Sequence, residues 1–347
     1  MKLEKGTATM TSKEIAAQLG ISPATVSLAL NNRPGVNRET RKRVLALAKQ
    51  SGLIDKRNEE RKNVLFLEYR KNGSDSNQSN FAQIFSSVIE GVERQAREQS
   101  CRLRVVTADA GSLSDTLAQS LDEQVSGALV LATEMDEGQM KLFEGKNVPV
   151  ILLDNYCEDA DLSCVTINNE QGVELAIRYL LQMGHSCIGY VHVEGDSVNF
   201  RERYFGFQRA MEIHGIPLQQ QNIIRFSTLY GGEAVYWEIL KGLRTMSKMP
   251  TAFFTDNDII AIYTIQALHE LKLRVPEDVS VIGFDNIASA EFVQPSLTTV
   301  ATSKHELGSC AMNQLVSLMN GSLQGTQKIQ IRSRLIVRDS VKNLHEE

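Results

Sequence analysis

Acidic and amide side chains follow three apolar runs of this 347-residue sequence, at the point where each run ends. Asp154 ends PVILLD, the triplet Asp256-Asn257-Asp258 follows TAFFT, and Asp285 ends VSVIGFD. In parallel sheets, ligands bind in the crevice outside the carboxyl ends of the strands. Carboxylates accept hydrogen bonds and amides both accept and donate them, which suits vicinal hydroxyls. The pattern therefore predicts a site for a small hydroxyl-rich ligand.

Two other interpretations of these residues stay open. The triplet could hold a metal ion, although no further carboxylates lie at suitable spacing and the six histidines show no metal-ligand spacing. Asp258 could instead be the N-cap of a following helix. The sequence has no P-loop, no GxSxG elbow and no GxGxxG after a strand, so we predict no metal, no cofactor and no catalytic residue.

Apolar runs that alternate with helical segments would position these residues. We expect strands at 64–69, 102–108, 127–132, 149–154, 187–193, 223–226, 251–255 and 279–285, and helices around 81–99, 113–123, 136–146, 169–183, 203–214, 231–244, 257–272 and 303–319. Continuously apolar strands between helices indicate parallel sheets covered on both faces. Such units could close as one barrel or divide into two doubly wound lobes, and spacing alone does not choose.

The first 53 residues predict a small helical domain instead. Thr11-x-x-Glu14 is a capping box, and Gly20 ends the helix that follows it. Ser22 and Pro23 suit the N-cap and first position of a second helix. A third helix begins at Asn37. Two short helices joined by a tight glycine-containing turn are typical of a helix-turn-helix.

The charge distribution supports a nucleic-acid-binding head. Residues 1–62 carry 13 Lys and Arg against 6 Asp and Glu, whereas the rest carries 24 against 36. A basic segment joined to an acidic body indicates a nucleic-acid module. Residues 54–62 are nearly all charged and form the predicted linker between the head and the body, which spans 63–347.

The second helix has two distinct faces. Val26, Ala29 and Leu30 face the head's core, and the opposite face carries Ala24, Leu28 and Asn31, flanked by Thr25 and Ser27. We expect Leu28 to be exposed. The basic residues beside this helix would contact phosphates, which supplies affinity but little sequence information: Arg33, Arg38, Arg41, Lys42 and Arg43. Base discrimination then depends on Asn31, Ser27 or apolar contact with thymine methyls.

The head resembles the LacI/GalR family of bacterial transcription regulators. The matching residues are Thr11, Glu14, Ile15, Ala16, Gly20, Ile21, Ser22, Thr25, Val26, Ser27, Leu30 and Asn31. The body is similar to the family too, through INNEQGVELAIRYLLQMGHSCIGYV, RERYFGFQRAM, FFTDNDIIAIYTIQAL, LRVPEDVSVIGFDNI and PSLTTVATSKHELG. The resemblance covers nearly the whole chain, in family order.

The resemblance implies a fold of a helix-turn-helix head plus an α/β body of two doubly wound parallel-sheet lobes, like periplasmic binding proteins. The expected amino-terminal lobe comprises about 63–165 and 296–324, and the carboxy-terminal lobe about 166–295 and 325–347. It also implies a homodimer whose binding to double-stranded operator DNA is controlled by a small effector.

The resemblance also suggests site residues. On the DNA side we predict Thr11, Ser22, Pro23, Ala24, Thr25, Ser27, Leu28, Asn31, Arg33, Thr40 and Arg41. On the effector side, Arg203, Asn257 and Asp285 match frequent family ligands, Asp154 matches a less consistent one, and Phe81 matches a stacking aromatic. Arg203 could alternatively form a salt bridge between the lobes.

Two departures from the family pattern bear on DNA binding. Leu28 stands where the family usually has an arginine that contributes to operator recognition, so the usual operator is not implied. The linker lacks the family's hinge-helix motif and its apolar wedge. A linker that has no apolar side chain to insert between bases does not unstack them in the usual way. We therefore hypothesise that the protein binds DNA without the family's hinge kink.

These features predict a ligand-responsive transcription regulator, most simply a repressor, with a carbohydrate favoured as effector over a nucleobase. The alternatives are a sugar- or nucleoside-acting enzyme tethered to DNA by its head, and an architectural DNA-binding protein with an inert body. Five cysteines without a CxxC pair favour reduced, cytoplasmic thiols. No apolar run is long enough for a membrane span, and the N-terminus does not resemble a signal peptide.

Overall fold

The computed structural model describes residues 10–30, 35–51, 61–71, 79–227 and 232–345. The chain separates into two compact units, a head of Met1–Lys62 and a body of Asn63–Glu347. Most of the predicted charged linker lies outside the described residues, so the expectation that it lacks a hinge helix stays a prediction.

The head contains the three predicted helices, α1 (Ser12–Leu19), α2 (Pro23–Leu30) and α3 (Arg38–Gln50). The Thr11–Glu14 capping box is formed in both directions, and Gly20 ends α1 in the left-handed conformation. Ser22 caps α2, because its Oγ accepts a hydrogen bond of 3.0 Å from the backbone N–H of Thr25. The helices bury a common apolar core of Ile15, Ala16, Val26, Ala29, Val44 and Ala48. These local signals are confirmed.

The amino-terminal lobe of the body is built on a six-stranded parallel sheet. Its strands are β1 (Asn63–Tyr69), β2 (Arg102–Ala108), β3 (Val125–Leu131), β4 (Val150–Leu153), β5 (Ser163–Ile167) and β11 (Lys328–Ile331), in the order β11-β5-β4-β3-β1-β2. The helices of this lobe are α4 (Ser79–Glu98), α5 (Leu113–Ser120), α6 (Glu137–Lys141) and α12 (Lys304–Met319). Apolar clusters on both faces of the sheet bury its four inner strands, and the edge strands β2 and β11 are largely exposed or half-buried.

The carboxy-terminal lobe has a second six-stranded sheet of the order β12-β10-β9-β8-β6-β7. Its strands are β6 (Ile188–Val193), β7 (Ile223–Phe226), β8 (Ala252–Thr255), β9 (Ser280–Asp285), β10 (Thr298–Ala301) and the antiparallel β12 (Arg334–Ile336). Its helices are α7 (Asn169–Gln182), α8 (Val198–Ile213), α9 (Gly232–Thr245), α10 (Asp258–Glu270) and the short α11 (Ser289–Phe292). Two separate sheets exclude the single barrel.

The predicted lobe boundaries are wrong at two strands. We assigned 296–324 to the amino-terminal lobe, but β10 pairs with β9 in the carboxy-terminal sheet. We assigned 325–347 to the carboxy-terminal lobe, but β11 pairs with β5 in the amino-terminal sheet. Both strands lie next to points where the chain passes between the lobes. A three- or four-residue strand carries too little pattern to show which sheet it joins. Among the described residues, no helix is long and apolar enough to cross a membrane.

Candidate functional site

Arg203 is the largest buried side chain at the candidate effector site. It lies on the inner face of α8, is only 2% exposed, and places its guanidinium over the ring of Phe284 at 3.8 Å from the centroid. Its Nε donates to Asn169 Oδ1 at 3.0 Å, and a terminal nitrogen donates to the carbonyl oxygen of Asp256. A buried charge requires such partners, because desolvation is otherwise costly.

Asp285 is the ionic partner of Arg203. The arginine's second terminal nitrogen lies 3.1 Å from Asp285 Oδ1, and this carboxylate side chain stays 14% exposed. Asp285 and the next residue, Asn286, both have positive φ values, 105° and 55°. Non-glycine residues tolerate this region only where the surroundings hold them, and such strain clusters at ligand sites. The chain thus turns sharply at the end of β9 and presents the carboxylate at the sheet edge.

The Arg203 cluster continues into the amino-terminal lobe. The Nδ2 of Asn169 donates to Glu202 Oε2 at 2.7 Å, and Tyr156, which follows β4 in the other lobe, donates its hydroxyl to Glu202 Oε1 at 2.8 Å. Burial, followed by the neighbouring Glu202, raises the pKa of Tyr156 well above its ordinary value, so the phenol remains a donor. A hydrogen-bonded chain therefore runs from Asp285 through Arg203 and Asn169 to the opposite lobe.

The Arg203–Asp285 pair itself lies within the carboxy-terminal lobe. The alternative that Arg203 forms a salt bridge between the lobes is therefore wrong for its ionic partner. Arg203 is connected to the other lobe through hydrogen bonds of Asn169 and Glu202 instead. Neither of these two residues was singled out from the sequence.

Asp154 is the corresponding carboxylate of the amino-terminal lobe. It is 2% exposed, accepts a hydrogen bond of 2.9 Å from the Thr133 hydroxyl and lies 3.4 Å from Lys304 Nζ. Its carbonyl oxygen accepts a hydrogen bond of 3.2 Å from Asn199 in the other lobe. Asp154 therefore contributes to the cleft indirectly, by pairing with Lys304. This lysine was not singled out from the sequence.

The triplet after β8 has structural functions that the sequence assigned differently. Asn257, not Asp258, is the N-cap of α10, since its Oδ1 accepts the backbone N–H of Ile260 at 3.0 Å. Asp258 is the first helical residue and is fully buried, so its expected capping role is wrong. Its carboxyl accepts hydrogen bonds from the Thr299 hydroxyl and, at 2.8 Å, from the Ile287 N–H. Asp258 thus fastens the loop after β9.

Asp258 gives the fold a predicted pH dependence. Burial is the main cause that raises its pKa from 3.8 to about 7, with Asp285 adding to the effect and Thr299 opposing it. The folded protein therefore holds a proton that the unfolded chain releases near pH 4, and the associated stability is lost as pH rises towards 7. Relative to Asp258→Asn, the wild type should lose about 2–3 kcal/mol of unfolding free energy between pH 5 and 8. Urea titrations of both proteins across this pH range test the prediction, and parallel profiles of unfolding free energy against pH would contradict it.

The five predicted effector residues do not all meet. Arg203 and Asp285 are bonded directly, Asp154 reaches the same cleft through Lys304, and Asn257 is committed to its helix cap. Phe81 lies in α4, but its side chain lies outside the described residues. Among those that are described, no three His, Cys, Asp or Glu side chains are grouped to hold a metal ion.

Most of the predicted DNA-contacting residues lie along α2, at the surface of the head. Ser22, Pro23, Ala24 and Ser27 are exposed, and Thr25 is half-buried with its hydroxyl 2.9 Å from that of Ser22. Leu28 is half-buried rather than exposed, because the chain returns beside it at Gly35, where an added Cβ would lie 3.8 Å from Leu28 Cδ1. The expectation of full exposure was therefore wrong.

The remaining DNA-side predictions lie on both ends of this surface. Thr11 is exposed at the start of α1, and Thr40 and Arg41 are half-buried at the start of α3. Asn31 and Arg33 lie outside the described residues. Their contribution to DNA contact stays a prediction.

A capped helix-turn-helix, joined to a two-lobed body with a buried polar network at its lobe junction, defines a ligand-responsive DNA-binding regulator. Residues 11–54 match the family described as bacterial regulatory proteins, lacI family, and residues 177–341 match a periplasmic binding protein-like domain. The chain is 31% identical over 344 residues to the HTH-type transcriptional repressor PurR of Haemophilus influenzae, with 96% of this chain and 99% of that protein covered. It belongs to the lacI family of bacterial regulatory proteins.

Solved structures share the fold across almost the whole chain. A transcriptional regulator CelR–cellobiose complex matches with a TM-score of 0.71 and 23% identity, covering 95% of this chain and 99% of that one. The lac repressor dimer bound to operator and the anti-inducer ONPF matches with a TM-score of 0.70 and 21% identity, covering 96% and 99%. The prediction of a transcription regulator with two parallel-sheet lobes is confirmed.

Proposed function

We propose that this protein is a homodimeric repressor whose binding to operator DNA is controlled by a small effector, of the sugar class, held between the lobes of its body. The observation that carries the proposal is the buried Arg203–Asp285 pair. The Asp285 carboxylate lies at the cleft, and Arg203 is hydrogen-bonded through Asn169 and Glu202 to Tyr156 of the other lobe. The fold relatives in complex with cellobiose and with operator support the sugar class and the dimer on DNA.

The hydrogen-bonded chain suggests how an effector would act. A ligand hydroxyl that bonds to Asp285 competes with Arg203 for the same carboxylate, so it changes the partners of Asn169 and Glu202. The lobes respond only if the ligand prefers one arrangement of this network, since equal affinity for both arrangements shifts no population. The protein acts by binding rather than catalysis and in the bacterial cytoplasm, where operator DNA lies. Chemical conversion of a candidate sugar by the protein would contradict the proposal that it acts by binding.

A thermal-shift screen against neutral sugars, sugar acids, sugar phosphates and nucleobases tests the effector. We expect Asp285→Ala to abolish the shift produced by the best ligand, because the cleft then loses the partly exposed carboxylate at the end of β9. Asp122→Ala is the control, because it removes a carboxylate that is 43% exposed and distant from Asp285 in the sequence. The same ligand must also change the apparent Kd for an operator selected from randomised DNA. An undiminished shift in Asp285→Ala would remove this residue from the site.

For the head, we propose that α2 reads the operator, with Ser27, Leu28 and Asn31 towards the bases and Thr11, Ser22, Thr25, Arg33, Thr40 and Arg41 towards phosphates. Ala24 and Pro23 would allow a close approach. We further propose that the linker introduces no apolar wedge at the centre of the operator. Measurement of DNA bending tests the latter, and a sharp kink at the dyad would contradict it.

Leu28→Arg is expected to change operator preference more than stability. The new guanidinium can form a bidentate contact with guanine, which discriminates against other bases by about 1–3 kcal/mol, or roughly 5–150-fold in affinity. Because Leu28 is only half-buried, unfolding free energy should change by less than about 1 kcal/mol. Selections from randomised DNA with wild type, Leu28→Arg and Leu28→Ala would show it. Identical consensus sequences for all three would exclude Leu28 from base readout.

A further inference from the structure

A cavity of about 320 Å³ lies where the chain passes between the two lobes of the body. One wall is the sharp turn after β9, and a second is the segment that connects β10 to α12. The third wall comes from the passage between β11 and β12. The residues that line the cavity and carry the argument are Asp285, Thr302, Lys304, Glu306, Arg332 and Arg334. Asp285 makes this cavity part of the proposed effector site.

Positive charge is in excess on these walls. Asp285 is paired with Arg203, and Lys304 is paired at 3.4 Å with Asp154, so these four charges balance. Arg332 and Arg334 are exposed, and neither forms an ion pair with an acidic side chain in the part of the chain that the structure describes. Two guanidinium groups therefore face one remaining carboxylate, that of Glu306. Guanidinium groups bind carboxylates and phosphates through paired hydrogen bonds.

The first turn of α12 also forms part of this cavity. Ser303-x-x-Glu306 has the sequence of a capping box, yet Ser303 forms no side-chain cap. The same pattern is completed at Thr11–Glu14 and in Asp136–Gln139 at α6. The Lys304 N–H bonds to the Thr302 carbonyl at 3.1 Å, but the next two N–H groups, those of His305 and Glu306, receive no oxygen from the N-cap side chain. Such a helix end carries partial positive charge and favours an anion.

An independent observation comes from Thr302. It lines the cavity, and its hydroxyl oxygen is buried without a hydrogen-bond partner among the described residues. A buried hydroxyl without a partner costs free energy, and native structures rarely leave one so. A ligand oxygen in the cavity would satisfy it.

We propose that this cavity binds an anionic group of the effector, a carboxylate or a phosphate, so that the effector is a sugar acid or a sugar phosphate rather than a neutral sugar. Arg332 and Arg334 grip the anion from the solvent side. The Lys304 ammonium and the N–H groups of His305 and Glu306 face it from within, and Thr302 donates its hydroxyl. The identity of the ligand rests on the proposed effector function, whereas the anion site itself is tested without it.

Inorganic phosphate is the probe for the anion site. At constant ionic strength set with chloride, phosphate should raise the Tm of the wild type in a saturable manner. Arg332→Gln with Arg334→Gln should weaken apparent phosphate affinity at least tenfold. The matched control removes two exposed, ion-paired arginines of the same lobe, Arg209→Gln with Arg244→Gln, and should leave affinity unchanged. No saturable effect, or equal affinity in both double variants, would overturn the proposal.

Thr302→Val separates ligand binding from folding. The hydroxyl has no partner in the described structure, so its removal should leave the Tm without phosphate unchanged or higher, while phosphate affinity falls. A lower Tm with unchanged affinity would count against a ligand role for Thr302 and hence against the proposed site.

Glucose, glucuronate and glucose 6-phosphate then separate the ligand classes. Tighter binding of glucuronate or of glucose 6-phosphate than of glucose, lost in the Arg332/Arg334 double variant, supports a carboxylate or a phosphate respectively. Binding of glucose alone overturns the anion proposal but leaves the effector function standing. If phosphate binds saturably but no small molecule changes operator affinity, the anion site exists and the proposed effector function is wrong.

Discussion

Arg203→Met is expected to lower the free energy of unfolding by about 3 kcal/mol, the lower end of what removal of one partner from a buried ion pair costs. The guanidinium is 2% exposed, and its loss leaves Asp285 Oδ1, Asn169 Oδ1 and the Asp256 carbonyl without a donor. We take the lower end because Asp285 remains 14% exposed and water can solvate it in part. Urea-induced unfolding followed by circular dichroism measures the difference.

Arg209→Met is the matched control for this prediction. It lies on the same helix, α8, but its side chain is 68% exposed and pairs with Glu170 at the surface. Exposed pairs contribute about 0.2–1 kcal/mol, so the control should stay within that range. If both variants lost the same stability, the guanidinium of Arg203 would not be the cause.

A second variant identifies the unpaired carboxylate as the source of the loss. In Arg203→Met with Asp285→Asn, the partner no longer carries a charge, so part of the stability should return relative to Arg203→Met alone. Such non-additivity is expected for residues in direct contact. Simple addition of the two single effects would show that the pair contributes through packing on Phe284 rather than through its charges.

Sequence patterns predicted the architecture well where the signals are local. The eight expected strands are present, and most of them are continuous apolar runs because they are buried on both faces, whereas the edge strand β2 is largely exposed. The caps at Thr11 and Ser22 are also formed, since a cap depends on residues three positions apart. By contrast β5, β10, β11 and β12 were missed. They are three to five residues long, and such short runs do not distinguish a strand from a loop, even where polar and apolar residues alternate as in KIQI.

The candidate site was predictable at strand ends and not at the passages between lobes. Asp154 and Asp285 lie where the crevice rule places them. Lys304, Arg332 and Arg334 were missed, because they meet only after the chain has passed between the lobes, which no local pattern encodes. The alternating arginines of Arg332-Ser333-Arg334 and the unused capping sequence Ser303-x-x-Glu306 were the available signals. Asn257 has its Oδ1 bonded within its own helix, so its predicted contact with an effector would have to use the amide Nδ2 and stays a prediction.

Gly308→Ala should also destabilise the body strongly, against the usual preference of a helix for alanine. In most helix interiors this substitution stabilises by about 1 kcal/mol. Here α12 and α4 pack backbone against backbone, and a Cβ at Gly308 would lie 2.1 Å from the carbonyl oxygen of Val88. The reciprocal position, Gly91, would place its Cβ 2.1 Å from the carbonyl oxygen of His305. Neither obstacle is the end of a flexible side chain, so the two helices must separate.

Overpacking of this kind costs about 1–3 kcal/mol and sometimes more, and we expect the upper part of that range because backbone atoms form the contact. Gly138→Ala in α6 is the control, since its nearest neighbour is a side-chain oxygen at 3.3 Å, and it should change stability by less than about 1 kcal/mol. The first turn of α12 also forms a wall of the cavity, so displacement of this helix should weaken phosphate binding together with folding. A Gly308→Ala protein as stable as the wild type would mean that the close contact of α4 and α12 does not hold that turn in place.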